Sequence, residues 1–168
     1  MKELLRKIIP ERHPLRLLYH RLLAMIAVTI NGFPANKMVV IGVTGTNGKT
    51  TTINLITNIL THAGYKVGMT STIGFQIGDE KFVNDSKQTT LGPFQLQKML
   101  KKMKNEGCKY AVVEVTSHAL DQSRVLGINF DVAVMTNISE DHIEYHGSFN
   151  NYMAAKAKLF KKVSKGKR

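Results

Sequence analysis

The sequence predicts an α/β fold, a P-loop-containing layered sandwich with a mainly parallel sheet flanked by helices. From residue 38 onward, short apolar runs alternate with segments of helical periodicity, which is typical of a parallel sheet covered by helices. The first apolar run passes into the glycine-rich segment 42–52 (GVTGTNGKTTT) and then into a helix-like run. A strand, a glycine-rich turn and a helix start together form a cradle for phosphate groups.

Length, composition and charge fit one globular domain with an anionic ligand. The chain has 168 residues, of which 43% are hydrophobic and 21% charged, enough for a real core. The net charge is +12, and the basic residues gather at the two ends of the chain. This charge favours anionic partners, namely nucleotides, phosphosugars, nucleic acid or acidic lipid surfaces, or is simply solvated. Because no aromatic-rich basic module accompanies this charge, we expect no nucleic-acid partner. The single cysteine, Cys108, excludes an internal disulfide framework.

Residues 1–37 are expected to be a short N-terminal helical segment ahead of a domain at 38–168. The apolar run 22–30 is too short to span a bilayer, which takes about 20 residues. Residues 15–30 predict an amphipathic helix that packs on the body of the protein, with a position on a membrane surface as the alternative. The turn-forming residues 31–34 (NGFP) end it.

The remaining elements follow from apolar periodicity and from the positions of glycine and proline. Predicted strands cover 38–41, 66–71, 110–115 and 130–135, the last two buried on both faces, and a hairpin over 73–83 turns at Gly78-Asp79. Predicted helices cover 53–62, 93–107 and, after Ser148 as N-cap, 149–163. Lys156 falls on the apolar stripe of the last helix, and a buried lysine either loses its charge or has a function.

The glycine-rich segment predicts a nucleotide site. Backbone amides at the helix start favour an anion, Lys49 would reach the β- and γ-phosphates, and the Thr50 hydroxyl would bind Mg²⁺. Val43 stands where the general P-loop pattern has glycine, but the Gly48-Lys49-Thr50 core and its context agree with that pattern. Glu114 ends an apolar strand, and parallel sheets place metal-binding carboxylates at such strand ends.

Two loops that follow strands carry further polar side chains. The loop 116–124 holds many hydrogen-bond donors, and Arg124 suits a carboxylate or a phosphate. His118 is interpreted as a structural hydrogen-bonding residue, whereas His142 is equally a metal ligand or a solvent-exposed side chain. The threonine pair 89–90 by itself indicates only a helix start.

Five ordered motifs resemble those of the Mur ligases, and most closely the branch that synthesises UDP-N-acetylmuramoyl-tripeptide. They lie at residues 43–52, 88–90, 114–120, 136–147 and 152–160. The resemblance implies a cytoplasmic enzyme of peptidoglycan synthesis that uses ATP and Mg²⁺ to join an amino acid to a UDP-N-acetylmuramoyl-peptide. In such enzymes the peptide carboxylate is phosphorylated to an acyl phosphate, which the incoming amine attacks.

The same resemblance implies a role for each matching residue. Lys49, His142 and a Lys156 carbamylated by CO₂ would be catalytic. Thr50, Glu114 and His142 would bind Mg²⁺. ATP would be held by Thr44, Gly45, Thr46, Asn47, Gly48, Lys49, Thr50 and Thr51. The sugar-peptide would be held by Gln88, Thr89, Thr90, Thr116, Gln122 and Arg124.

Mur ligases have three domains, and residues 38–168 resemble the middle, ATP-binding one. We therefore expect a C-terminally truncated or split ligase that binds nucleotide but forms little product without a separate C-terminal ligase domain. Three alternatives stay open: a folylpolyglutamate synthetase-like ligase, a non-catalytic nucleotide-binding module and, last, a basic nucleic-acid-binding protein. The motifs at 114–118 (EVTSH) and 141–147 (DHIEYHG) favour the wall enzyme over the folate enzyme.

Overall fold

The computed structural model describes residues 10–85 and 88–163, which form six α-helices, a short 3₁₀-helix and one six-stranded sheet. The helices are α1 (Pro14–Asn31), α2 (Lys49–His62), α3 (Pro93–Asn105), α4 (Ser117–Asp121), α5 (Ile143–His146) and α6 (Phe149–Phe160), and the 3₁₀-helix is Pro34–Lys37. The strands are β1 (Val39–Thr44), β2 (Val67–Thr70), β3 (Gly74–Ile77), β4 (Glu80–Val83), β5 (Tyr110–Glu114) and β6 (Val132–Met135).

The sheet has the order β4-β3-β2-β5-β1-β6, in which β2, β5, β1 and β6 run parallel. β3 and β4 form an antiparallel hairpin at one edge, and it turns at Gly78-Asp79 as predicted. Val43 on β1 lies opposite Glu114 on β5, so these two strands end side by side. The predicted mainly parallel α/β sandwich is confirmed, and Glu114 lies next to the glycine-rich loop.

Alternation along the strands divides the core between the two faces of the sheet. α2 covers one face, where Ile53 packs in a cluster with Ile41 and Val43 of β1. The opposite face carries the larger cluster, to which α3 and α6 contribute Leu96, Leu100, Met103 and Leu159. The start of α2 and the helix α6 therefore lie on opposite faces of the sheet, on either side of β1.

α1 lies outside this sandwich and packs on α3, in agreement with the expectation for residues 15–30. Its buried residues are small: Ala24, Ala27 and Val28. Gly32 ends the helix in the left-handed conformation, at φ 71°, and its amide donates to the Thr29 carbonyl. Within the described ranges, no helix is both long enough and apolar enough to cross a membrane.

The prediction of a strand over 130–135 buried on both faces is wrong in two respects. The strand is Val132–Met135, and it lies at the sheet edge with β1 as its partner. Val132 and Met135 are 45% and 36% exposed. Phe130 instead lies fully buried in the core and forms an isolated bridge with Val163. A continuous apolar run does not reveal whether a strand lies at the edge or the centre of its sheet.

Other differences concern helix boundaries. α2 begins at Lys49 rather than at residue 53, because Gly48, at φ 78°, is its N-cap. α4 and α5 occupy segments that were predicted as loops. Ser148 is the N-cap of α6 as predicted, since its hydroxyl accepts the amide of Asn151 at 3.2 Å, although the helix ends at Phe160.

Candidate functional site

The glycine-rich loop connects the end of β1 to the start of α2 in a conformation that requires glycine. Gly45 and Gly48 have φ angles of 149° and 78°, a region that other residues rarely adopt. A Cβ atom at Gly45 would overlap the Thr136 hydroxyl. The loop is thereby fixed at the N-terminus of α2, where free backbone amides favour the binding of an anion.

The carboxyl end of β6 fixes the loop from the other side. The Thr136 hydroxyl donates to the Asn47 carbonyl at 2.6 Å, and the Asn47 amide donates to the side chain of Asn137 at 3.0 Å. The Thr46 amide donates to the Asn137 carbonyl at 3.1 Å. Neither Thr136 nor Asn137 was predicted as a site residue, although both follow an apolar run at the position where parallel sheets collect polar side chains.

The Lys49 ammonium lies over the loop. It donates to the carbonyls of Gly45 and Thr46 at 3.0 and 2.7 Å. A cation held at this position favours phosphate oxygens bound by the loop amides.

Glu114 is a buried carboxylate, 1% exposed, beside the start of α2. The Thr50 hydroxyl donates to its two oxygens at 3.1 and 3.3 Å. The amide and hydroxyl of Thr72 donate to the same carboxylate at 2.8 and 3.1 Å. Thr72 was not predicted, and its signal in the sequence was a hydroxyl two residues beyond the end of β2.

The donor set around Glu114 fits Mg²⁺. Mg²⁺ prefers oxygen ligands and is commonly held by one or two carboxylates together with substrate phosphates and water. Thr50 and Glu114 supply a hydroxyl and a carboxylate within hydrogen-bond distance of each other. Across the described ranges, no group of three or more His, Cys, Asp or Glu side chains could hold a metal by itself.

A cavity of about 370 Å³ joins the loop to Glu114. Its lining residues are Thr46, Asn47, Gly48, Lys49, Thr50, Thr51, Thr72, Thr89, Glu114, Thr116 and His142. All of these except Thr72 were predicted as site residues. The other predicted site residues do not line it: Thr44, Gly45, Gln88, Thr90, Gln122, Arg124 and Lys156.

Of the residues expected to hold the sugar-peptide, Thr90, Gln122 and Arg124 form a chain of contacts behind the cavity wall. The Thr90 hydroxyl donates to the Glu114 carbonyl at 3.0 Å and accepts the Thr116 amide at 3.0 Å. Arg124 donates to the Thr90 carbonyl at 3.0 Å and to the Gln122 side chain at 2.7 Å. Gln88 is exposed. Arg124 and Gln122 thus support the wall rather than line it.

Lys156 is 2% exposed, so the lysine on the apolar stripe of α6 is buried. Its ammonium donates to the Gly45 carbonyl at 2.7 Å and lies 4.6 Å from the ring centroid of Tyr152. Burial, and then the charge of Lys49, lowers the pKa of Lys156 to about 8. The amine therefore lies directly behind the glycine-rich loop and is partly neutral near physiological pH.

His142 lines the cavity and is also partly exposed to solvent, and its role as a metal ligand stays a prediction. Its backbone is left-handed, at φ 52°, where it caps α5. The ring, 44% exposed, lies 3.5 Å from the carboxylates of Asp141 and Glu144. The neighbouring ring of His118 is 4.7 Å away between centroids.

Tyr152 and Asp121 tie α6 to the site, and neither was predicted. The Tyr152 hydroxyl lies 2.9 Å from the Thr46 hydroxyl, and so joins α6 to the glycine-rich loop. Asp121 binds Lys158 at 2.6 Å and Arg12 at 2.9 Å. Burial alone would raise the pKa of Asp121, but the hydrogen bonds and charges of Lys158 and Arg12 lower it below its ordinary value.

Comparisons with known proteins identify the family. The family described as Mur ligase middle domain matches residues 43–168. A UDP-N-acetylmuramoyl-L-alanyl-D-glutamate--2,6-diaminopimelate ligase from Geobacillus thermodenitrificans is 44% identical over 140 residues, which are 83% of this chain and 28% of that protein. A solved structure of an enzyme of that name is 31% identical with a TM-score of 0.70, over 86% of this chain and 29% of that one. The chain thus spans little more than a quarter of these relatives' length.

A folylpolyglutamate synthase from Mycobacterium tuberculosis, solved with ADP, gives a TM-score of 0.62 at 20% identity, over 81% of this chain and 37% of that one. Such a likeness shows a shared fold alone. The sequence identity to the diaminopimelate ligases is higher, so they are the better guide to the family of this chain. The name of the Geobacillus relative describes a ligase of a UDP-N-acetylmuramoyl dipeptide, the branch that the five motifs indicated. The chain therefore belongs to the Mur ligase family, and residues 43–168 are its middle domain.

Proposed function

We propose that this chain supplies the ATP-binding part of a cytoplasmic ligase that joins an amino acid to a UDP-N-acetylmuramoyl-peptide in peptidoglycan synthesis. One observation carries the proposal. The start of α2, Glu114 and His142 line a single cavity, and Lys156 is buried directly behind its loop. Membership of the Mur ligase family supports the reaction class, and the name of the 44% identical relative supports the substrate class.

The proposed chemistry assigns positioning and charge neutralisation to the protein. Phosphoryl transfer to the peptide carboxylate needs little covalent chemistry from side chains. The loop amides and the Lys49 ammonium would hold the β- and γ-phosphates of ATP and offset their charge. Mg²⁺ bound by Thr50 and Glu114, with a second ion at His142, would neutralise further charge on the phosphates.

Lys156 is proposed to be carbamylated. With a pKa near 8, about a tenth of the amine is neutral at pH 7. The neutral nitrogen can attack the carbon of CO₂, so that an N–C bond forms as one C–O π bond opens onto oxygen. The nitrogen then loses a proton to water, which leaves a carbamate anion. The nearby charge of Lys49, which disfavours an ammonium at this position, would favour that anion. NMR of protein exposed to ¹³C-bicarbonate should show a carbamate carbon that a Lys156→Ala variant lacks.

The sugar-peptide is proposed to enter over Thr89 and Thr116, which line the same cavity. Thr90, Gln122 and Arg124 would hold this wall in place, and Gln88 would contact the substrate from its exposed position. The incoming amino acid and the uridine group would need parts of a longer protein, because the relatives are more than three times as long as the matched region.

Calorimetry and an ADP-release assay test the proposal in two stages. The 168-residue chain should bind an ATP analogue in a Mg²⁺-dependent manner. ADP release should then require the remaining ligase domains, supplied in trans or as the longer protein, together with UDP-N-acetylmuramoyl-dipeptide and an amino acid. Nucleotide binding without substrate-stimulated turnover would favour the non-catalytic module. Absence of Mg²⁺-dependent binding by folded protein would refute the proposal altogether.

A further inference from the structure

The outward face of α1 carries large apolar side chains from its first turn to its last, interrupted by Thr29. Leu15, Leu18, Leu22, Ile26 and Ile30 are between 49% and 67% exposed. Their spacing of three and four residues places them on one stripe, which covers more than a third of the helix circumference together with Tyr19 and Met25. About half or more of each side chain on this outer stripe is left uncovered by the described residues, and an exposed apolar patch of this kind usually marks a site of interaction.

An aromatic residue follows the end of the outer stripe. Phe33 comes directly after the cap of α1 and is 46% exposed. Its φ angle of 51° lies in the left-handed region, which is uncommon for a bulky side chain. Helices that lie in a membrane interface carry Leu and aromatic side chains on the face that enters the lipid.

A basic rim borders the outer stripe. Arg21 projects from one flank of α1, and Lys162 lies just beyond the end of α6. Gly127 packs directly against Val28 of α1. Three residues after Gly127, the Phe130 amide donates to the Lys162 carbonyl at 3.2 Å, which brings the end of α6 to this side of the protein. Burial, and then the charge of Arg21, lowers the pKa of Lys162. No Asp or Glu in the described ranges forms a salt bridge with either side chain. Two neighbouring cations without a carboxylate form an attractive site for anions.

We propose that the outer stripe and its basic rim, Arg21 and Lys162, dock on an anionic lipid surface, with α1 lying in the plane of the interface. The combination favours lipid over a protein partner, because the apolar face and the unneutralised cations at its border match acyl chains and anionic headgroups respectively. The chain's excess of basic residues, 24 against 12 acidic ones, acts in the same direction. α1 contributes no residue to the nucleotide cavity, so this docking is independent of the proposed function.

Vesicle flotation of the full 168-residue chain tests the proposal. The protein should float with phosphatidylcholine vesicles that contain about 30 mol% phosphatidylglycerol, and less with phosphatidylcholine alone. A Leu22→Glu/Ile26→Glu variant should bind at least about tenfold more weakly. An Arg21→Gln/Lys162→Gln variant should lose about tenfold on anionic vesicles only. The matched control Leu55→Glu/Ile59→Glu, at 57% and 67% exposed positions of α2, should bind like the parent.

Three results would overturn the proposal, provided that circular dichroism shows folded protein. The first is a parent protein that does not float with anionic vesicles. The second is an equal loss of binding in the α1 and α2 double variants, which would show a nonspecific effect of added negative charge. The third is an oligomer, seen by light scattering, that the α1 variant dissociates while the parent does not bind vesicles, which would assign the outer stripe to a protein contact.

Discussion

The proposed nucleotide cradle, formed by the glycine-rich loop with Lys49, Glu114 and Lys156, departs from ordinary packing in the opposite direction to the outer stripe of α1. At the cradle, the charged residues Glu114 and Lys156 are 1% and 2% exposed, whereas Leu15 and Ile30 on α1 are 65% and 67% exposed. Each buried charge has partners within the chain, namely the Thr50 hydroxyl for Glu114 and the Gly45 carbonyl for Lys156. The exposed apolar side chains are left mostly uncovered by the described residues.

Buried charges and exposed apolar side chains indicate function for different physical reasons. A buried charge is stable only when the surrounding groups are already oriented toward it, so the cradle is organised in advance of its ligand. An exposed apolar stripe has a higher free energy in water than in an apolar environment, so a partner that covers it lowers the free energy. Substitutions at the cradle should therefore alter binding or stability strongly, and those on the stripe should alter stability little.

Lys49→Ala should give the largest effect at the cradle. Removing the ammonium that lies over the loop on its cavity side should weaken Mg²⁺-dependent nucleotide binding by about 100-fold or more, because a charge-assisted contact to phosphate is lost. Titration calorimetry measures the change. Lys98→Ala, at an exposed position of α3, is the matched control and should bind like the parent. Equal affinities of Lys49→Ala and the parent would contradict the assignment of the cradle.

Lys156→Met should stabilise the uncarbamylated protein by ~2 kcal/mol at pH 7 in CO₂-depleted buffer, because an apolar side chain replaces a buried ammonium. The pKa of Lys156 is lowered from 10.5 to about 8, so the native state binds fewer protons than the unfolded state between these values. The parent's stability should therefore rise with pH across that window, and the advantage of the variant should shrink. Urea unfolding at several pH values measures it. A variant less stable than the parent at pH 7 would show that the hydrogen bond to Gly45 outweighs the burial of charge.

Glu114→Gln should reduce the Mg²⁺ dependence of nucleotide affinity by about tenfold, because an amide is a much weaker ligand for Mg²⁺ than a carboxylate. Calorimetry with and without Mg²⁺ isolates this contribution. Glu106→Gln, in a half-exposed pair with Lys66 at 3.7 Å, provides a control in which Mg²⁺ dependence should not change. An unchanged Mg²⁺ dependence in Glu114→Gln would remove this residue from the metal site.

Leu22→Ser should have the smallest effect on folding. Leu22 is 50% exposed, so the free energy of unfolding should change by no more than about 0.5 kcal/mol in the absence of vesicles. Ala27→Leu, at a fully buried position of α1, should instead destabilise by ~2 kcal/mol because it overpacks the helix contact. Chemical denaturation of both variants measures the contrast. A large loss in Leu22→Ser would mean that the outer stripe is already covered within the folded chain.

Much of the cradle could be predicted from the sequence because its donors are contiguous. Lys49 and Thr50 follow the glycines directly, and the strand before them and the helix after them are visible as local patterns. Glu114 was found by a rule about strand ends rather than by spacing. Thr72 and Tyr152 were missed, since only the order of strands and the packing of α6 bring their hydroxyl groups to the site.

The α/β class, the glycine-rich turn and the helix over residues 15–30 could be predicted from local sequence, since each depends on residues within a few helical turns or one strand. Packing of the whole chain was needed to show that β6 is an edge strand, that α1 presents its larger apolar side chains outward, and that Lys156 meets the carbonyl of Gly45, 111 residues earlier in the chain. The difference lies in the separation along the chain over which each effect acts. Local dihedral preferences and periodicity act between near neighbours, whereas contacts across the sheet form only when the whole core packs.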